Sequence, residues 1–386
     1  MKYINRNLDK TIVNLTKVFR VIGLTGPRQS GKSTTIRHLF KDKYQYVSFE
    51  KSVILNEFHS DPVSFMKSYN KYIIFDEVQN VPEIFSYIKT IVDEEPDIKG
   101  RFILTGSSQF TLNKNITETL AGRIGLITLL PLDFNEIEIC LREKSIFSGS
   151  YPELINNLYE FGDIWYDSYI KTYIERDVRK MQNIGDLRDF QRMLILISGY
   201  AGKQVNLSEI SKQIGISLMT VKRWISVLEA SYIIFFLSPY YKNFNKRITK
   251  TPKLYFYDTG LALFLMGLYG KIEFGTNLVS GQIFENYIIT EVIKNIFHNV
   301  SNKKIYYYRT SGGKEIDLII ETGKELILAE IKSTSTYNPY LEKDIDSLKI
   351  PAKKKIIIYR GESIQSSGGT KYINYKDFLS SDFNNL

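Results

Sequence analysis

Three short stretches of the chain set residue types at spacings that chemistry can use. In Gly26-Pro27-Arg28-Gln29-Ser30-Gly31-Lys32-Ser33-Thr34 the glycines let the backbone fold around an anion with its N–H groups, and the start of a helix adds a positive dipole end. This GxxxxGK[ST] spacing would cradle a chain of phosphates, with Lys32 reaching the β- and γ-phosphates and the Ser33 hydroxyl coordinating magnesium. The pair Asp76-Glu77 ends an apolar run. Two adjacent carboxylates are costly to bury, but they serve well if Asp76 holds magnesium and Glu77 polarises an attacking water. In Glu330-Ile331-Lys332 the charged residues alternate with an apolar one, so on a strand both project from one face.

These groups work only if the chain holds them on a frame. Residues 20–25 form an apolar run of strand length before the glycine-rich loop, and a helical pattern follows it through residue 40. Further strands are expected over 72–75, 101–104 and 124–130. At the carboxyl end of such a strand a small hydroxyl residue can sense the γ-phosphate or orient water, which singles out Ser107 with Thr105 in reserve. Arg123, just before the last strand, could stabilise charge on a phosphate in its own site or, in a homo-oligomer, a neighbour's.

Strand, phosphate loop, Asp-Glu pair, serine-bearing strand end and late arginine together resemble the AAA+ branch of P-loop ATPases. More narrowly, GPRQSGKST, IIFDEVQN, LTGSSQF, LAGRIGLITLLPLDFNE, SGSYPE and YIERDV are similar to a prokaryotic family of AAA ATPases that carry an uncharacterised C-terminal region. The resemblance spans nearly the whole chain. It implies ATP binding with Mg2+ and slow hydrolysis.

The middle of the chain reads differently. Helical spacing over 164–181 and 187–201 suggests packing and connection. Leu207, Ile210, Ile214 and Ile216, then Val221, Ile225 and Leu228, mark two short amphipathic helices with a turn at Gly215, the layout of a helix-turn-helix. The second helix would expose Thr220, Lys222 and Arg223. A strand-like run over 232–237 follows, and then Lys242, Lys246, Arg247, Lys250 and Lys253 occur without an acid before Tyr255. A basic hairpin after a helix-turn-helix is the arrangement of a winged helix, whose second helix enters the major groove of double-stranded DNA while the wing meets phosphates. The same fold also serves as a protein-interaction module.

In the last third, a long helical pattern opens at residues 282–285 and carries Ile289, Val292, Ile293 and Ile296 on one face. Strands are expected over 305–308, 315–320 and 326–332. If Asp317 shares a face with Glu330, two carboxylates converge on a divalent cation while Lys332 positions or deprotonates water, the chemistry of metal-assisted phosphodiester hydrolysis. Glu285 would complete the cage. The set Glu285, Asp317, Glu330 and Lys332 resembles the PD-(D/E)XK nuclease fold, and implies a second Mg2+ or Mn2+ site.

Composition bounds these readings. The chain has 386 residues, 43% hydrophobic and 24% charged, with 27 Tyr and 23 Phe, which suits about two or three globular domains. A single cysteine, Cys140, excludes an internal disulfide, a Cys-cluster zinc site and an iron–sulfur cluster, and 3 His leave little for His-ligated metals. The N-terminus lacks the apolar run of a signal peptide, and no stretch approaches the roughly 20 apolar residues of a membrane helix, so a cytoplasmic protein without membrane partners is expected. Net charge is +9, yet residues 1–150 hold 20 Lys/Arg against 17 Asp/Glu whereas residues 201–255 hold 9 against 2. Any nucleic-acid affinity therefore rests on the middle.

The expected fold is α/β multidomain: an AAA+ P-loop NTPase sheet over 1–140, a helical connector over 141–202, a winged helix-turn-helix over 203–258 and a restriction-endonuclease-like α/β domain over 259–386. The leading function is a Mg-dependent ATPase coupled to a DNA-associated, nuclease-like C-terminal region. Two alternatives are a nucleotide-switched, metal-dependent DNA endonuclease and a non-catalytic, nucleotide-regulated module that binds DNA or protein.

Overall fold

The computed structural model describes residues 3–106, 119–174, 187–241, 251–275, 279–310, 312–348, 350–365 and 369–381. Five strands, β1 (Val21–Thr25), β2 (Gln45–Ser48), β3 (Ile73–Asp76), β4 (Phe102–Thr105) and β5 (Ile124–Thr128), form a parallel sheet in the order β2-β3-β4-β1-β5. Its register pairs Ser48 with Asp76, Leu24 with Thr105 and Thr25 with Thr128, so the carboxyl ends of the strands share one edge. Both faces are covered, as a parallel sheet requires. Ile73, Phe75, Phe102 and Leu104 face one apolar core, and Ile74 and Ile103 face the other with Ile22 and Leu24.

Two strand ends differ from the expectation in a way that matters. Asp76 is the last residue of β3 and Thr105 the last of β4, so both lie within the sheet. β5 stops at Thr128, short of residue 130, because the chain turns away there: the Leu130 carbonyl accepts a hydrogen bond from the buried Arg6 guanidinium at 2.7 Å.

That turn leads into a buried polar junction. Arg6 also donates to the Ser30 carbonyl at 2.9 Å and pairs with Glu136 at 2.9 Å, while Asp133 accepts from Asn7 and meets His298 Nδ1 at 2.8 Å. The Phe134 N–H donates to Glu291 at 2.6 Å, and Lys294 donates to the Leu132 carbonyl, Ser150 Oγ and Glu291 at 2.9, 2.8 and 2.7 Å. Burial alone would raise the Asp133 carboxyl, but His298, Asn7 and Arg6 outweigh it and hold it down at about 2.

Of the expected helix over 164–181, the described residues form a helix Gly162–Tyr169 that passes into a π turn over Ile170–Ile174, and residues 175–181 lie outside the described residues. After it come the helix Leu187–Ser198, β6 (Lys203–Gln204), the helices Leu207–Ile214 and Leu218–Ala230, β7 (Ile234–Leu237) and β8 (Lys253–Phe256), whose sheet order is β6-β8-β7. The Asn206 side chain caps the first of the paired helices, Gly215 closes it at φ +83°, and Ser217 caps the second through the Thr220 N–H. Lys253 departs from the expectation of a basic wing that meets phosphates. It is the first residue of β8, paired with both Gln204 and Leu237, and only 3% exposed.

The C-terminal part sets a long helix, Val279–His298, against a six-stranded sheet in the order β13-β14-β12-β11-β10-β9. Its strands are β9 (Lys304–Arg309), β10 (Glu315–Thr322), β11 (Glu325–Ile331), β12 (Lys354–Tyr359), β13 (Ile364–Gln365) and β14 (Lys371–Asn374). Segment 238–240 runs along β9, where Tyr307 N–H donates to the Ser238 carbonyl at 3.2 Å and Tyr240 N–H to the Tyr307 carbonyl at 2.6 Å. Phe235, Tyr255 and Tyr257 of the middle share a core with Phe284, Tyr287 and Leu318. Among the described residues no helix is long and apolar enough to cross a membrane.

Candidate functional site

The glycine-rich loop leaves β1 at Gly26, where φ is +141° and a Cβ would lie 2.1 Å from the Leu129 carbonyl oxygen, so a side chain is barred. At its far end Gly31, φ +94°, caps the helix Lys32–Phe40. The Lys32 ammonium is buried and turns back on the loop, donating to the Gly26 and Pro27 carbonyls at 3.0 and 2.6 Å. Those carbonyls hold the charge where an incoming phosphate would replace them. The Ser30 hydroxyl, fully buried, has no hydrogen-bond partner among the described residues.

Beside the loop lies a cleft of about 250 Å³ lined by Arg28, Gln29, Gly31, Lys32, Ser33, Thr34, Glu50, Glu77, Pro152 and Glu153. Asp76 stands next to it on β3, its carboxylate accepting hydrogen bonds from the Tyr46 and Thr105 hydroxyls and from the Glu77 N–H. Glu77 adopts φ +56° and accepts from the Gln79 side chain. The hard oxygen donors Ser33 Oγ and the Asp76 carboxylate suit Mg2+. A second hollow of about 150 Å³ adjoins the first, sharing Gly31, Thr34 and Pro152 and adding Tyr3, Ile4, Thr35, His38, Leu132 and Asn156. Tyr3 stacks on His38 there at 3.9 Å.

Several participants were not expected at the cleft. Pro152 and Glu153 end the SGSYPE motif, which carried the resemblance but no assigned role, and Arg6 ties the loop's Ser30 carbonyl to Glu136. Tyr46 is an ordinary strand aromatic until β2 pairs with β3. Ser107 lies outside the described residues; Thr105 touches Asp76. Arg123 is not among the residues lining the cleft. It makes a two-pronged ion pair with Asp93 at 2.6 and 2.8 Å, beside the amino end of β5. The loop leaves the opposite end of the sheet, about 16 Å away at 3.3 Å per residue.

A second constellation gathers on the C-terminal sheet. Glu285 projects from the long helix, Asp317 from β10 and Glu330 from β11, with Lys332 just beyond. Lys332 Nζ lies 2.9 Å from Glu330 and 3.6 Å from Asp317, and Asp317 accepts the Ile331 N–H at 2.9 Å. Two residues of β8 join them: Lys253 pairs with Glu285 at 2.9 Å and with Glu315, and the Tyr255 hydroxyl donates to Glu285 at 2.7 Å. Burial and the nearby Asp317 charge push the Glu330 carboxyl well above its ordinary range, and the same two causes raise Glu285 to about 7 despite Lys253. Burial would raise Asp317 too, but Lys332 and Lys253 outweigh it and hold it low. Both lysines are held charged by these acids against their own desolvation.

On the helix Leu218–Ala230, Lys222 and Arg223 are exposed and Thr220 is half-buried. Lys242, Lys246, Arg247 and Lys250 lie outside the described residues.

Residues 18–138 match a family model described as an AAA domain. Residues 141–271 and 280–378 each match a model described as a domain of unknown function. An uncharacterized protein of Mycobacterium tuberculosis is 27% identical over 345 residues, covering 89% of this chain and 77% of its own length. An uncharacterized protein of Methanocaldococcus jannaschii is 25% identical over 405 residues, covering 94% and 87%. Among solved structures, a Walker-type ATPase of Pyrococcus abyssi aligns with TM-score 0.47 and 16% identity over 68% of this chain and 96% of that one. The N-terminal part thus matches a P-loop domain of AAA type, and a separate sheet follows in the C-terminal part.

Proposed function

We propose that the chain hydrolyses ATP in this cleft. The reading rests on one observation: Lys32, Ser33 and Glu77 line a single cleft, with Asp76 beside it at the carboxyl edge of the sheet. Lys32 exchanges the Gly26 and Pro27 carbonyls for the β- and γ-phosphates, and the backbone of residues 26–34 wraps the remaining oxygens. Bound to Ser33 and Asp76, magnesium supplies charge neutralisation at the phosphates. Glu77 polarises the attacking water, with Thr105 or Ser107 orienting it, and Arg123 acts on the phosphate of a neighbouring copy. The hollow at Tyr3, Ile4 and His38 takes the base. In Glu77→Gln, calorimetry should show ATP binding retained and a phosphate-release assay a fall of about 100-fold in turnover. Unchanged turnover removes Glu77 from this role.

A second activity is favoured by the meeting of Asp317, Glu330 and Lys332, with Glu285 held nearby by Lys253 and Tyr255. We infer a metal-dependent phosphodiesterase site of PD-(D/E)XK type, with the carboxylates as ligands for Mg2+ or Mn2+. The paired helices with the β6-β8-β7 sheet support a winged helix that presents Lys222 and Arg223 to duplex DNA. Incubation with plasmid in Mn2+ should give cleavage that disappears in Lys332→Ala, and a mobility shift should weaken steeply between low and moderate salt. Absence of either result removes the corresponding part.

A further inference from the structure

We propose that Lys253 is a built-in counter-ion that competes with a divalent cation for the acid cluster, so that β8 must release Glu285 before metal enters. This rests on the metal-site reading above. Lys253 does not belong to the C-terminal sheet; it reaches the cluster from the central strand of the middle sheet. Its side chain is 3% exposed, and its ammonium lies 2.9 Å from Glu285 Oε1, pairs with Glu315 and sits 5.5 Å from the Tyr307 ring centre. The same Glu285 oxygen accepts the Tyr255 hydroxyl at 2.7 Å, so both of its donors come from β8. Glu330 meets a different condition. One of its oxygens holds Lys332, whereas the other, Oε1, is buried with no hydrogen-bond partner among the described residues.

One ammonium therefore leaves the cluster unevenly served: Glu285 is doubly bound while Glu330 keeps an acceptor unmet. A divalent ion between Asp317 and Glu330 would serve that acceptor and bring twice the charge, and Glu285 can join it only when Lys253 gives up Oε1. A buried single charge tethered to a neighbouring domain is a poor structural filler, because its desolvation cancels much of its ion-pair energy. As an exchangeable cation it has a use: it links the position of β8 to the state of the cluster.

Mn2+ binding to the full chain, followed by the free-ion electron paramagnetic resonance signal without nucleotide, tests this. Lys253→Met should bind Mn2+ at the cluster about tenfold tighter than the wild type or better, and adding Asp317→Asn should abolish the gain. Equal or weaker binding in Lys253→Met, with binding still dependent on Asp317, overturns the competition while leaving the metal site standing. Binding indifferent to Asp317→Asn, or absent, overturns the site and the competition with it. Should Lys253→Met fail to fold, reductive methylation of the wild type serves instead. Lys253 should label slowly alone and about fivefold faster or more with saturating Mn2+, since an expelled ammonium becomes accessible. Labelling unchanged by Mn2+ overturns the proposal.

Discussion

The phosphate cleft and the acid cluster are built from the same residue types, lysine with aspartate and glutamate, and they hold them in opposite ways. In the cleft Lys32 is bound by backbone carbonyls, and Asp76 by two hydroxyls and an N–H. A space of about 250 Å³ adjoins them. In the cluster Lys332 and Lys253 touch the acids directly; burial pushes both Glu330 and Asp317 up, and the two lysines outweigh it only at Asp317. The partners that hold Lys32 and Asp76 in the cleft include backbone carbonyls and hydroxyls, which an incoming anion could replace. A site for a small cation can be neutralised from within, and then access depends on moving a lysine.

Substitution of the two aspartates breaks or sharpens that contrast most strongly. Asp76→Asn should lower ATP turnover by about 100-fold or more, while Asp317→Asn leaves it within about twofold, both measured by phosphate release. A comparable loss in both variants would mean that the regions do not work as separate sites.

The junction between them should show as stability. Asp133 is held at about 2 in the folded chain against an ordinary 3.8, so the contribution is present above pH 3.8 and is lost as pH falls through about 2. Asp133→Asn should cost about 2 kcal/mol in urea denaturation at neutral pH, with the deficit shrinking as pH falls from about 4 toward 2. A deficit independent of pH would assign the effect to packing.

Arg123 carries the smallest expected change. Because it sits at the far end of the sheet, Arg123→Ala in dilute chain should alter turnover by less than about twofold, with a larger loss only at concentrations where copies associate. A full loss in the isolated chain would require a rearrangement that brings Arg123 to its own cleft.

What the sequence revealed tracks how local each feature is. The loop over 26–34 was legible because its spacing is itself the geometry: glycine where a Cβ strikes Leu129, lysine at the first turn of the helix. Glu330 and Lys332 were legible because strand alternation puts them on one face, and Asp317 follows from the neighbouring strand. Lys253 was not, since a lysine at the end of a basic run looks solvated until β8 pairs with β6 and β7 at once. Glu291, Lys294 and His298 were equally hidden: on a helix of this composition they read as a wet face, and only the turn at 131–136 buries them. Arg6 reaches the loop from a distant segment, which no local pattern encodes, and Pro152, though part of the SGSYPE motif, shows its place at the cleft only in the fold.

Calorimetric titration of ATP with Mg2+ into the full chain and into Lys32→Ala tests the cleft most directly. Saturable binding by the wild type, weakened by about 100-fold or more in the variant, is the expected result. Equal affinity in the two proteins would contradict ATP recognition by the loop over 26–34.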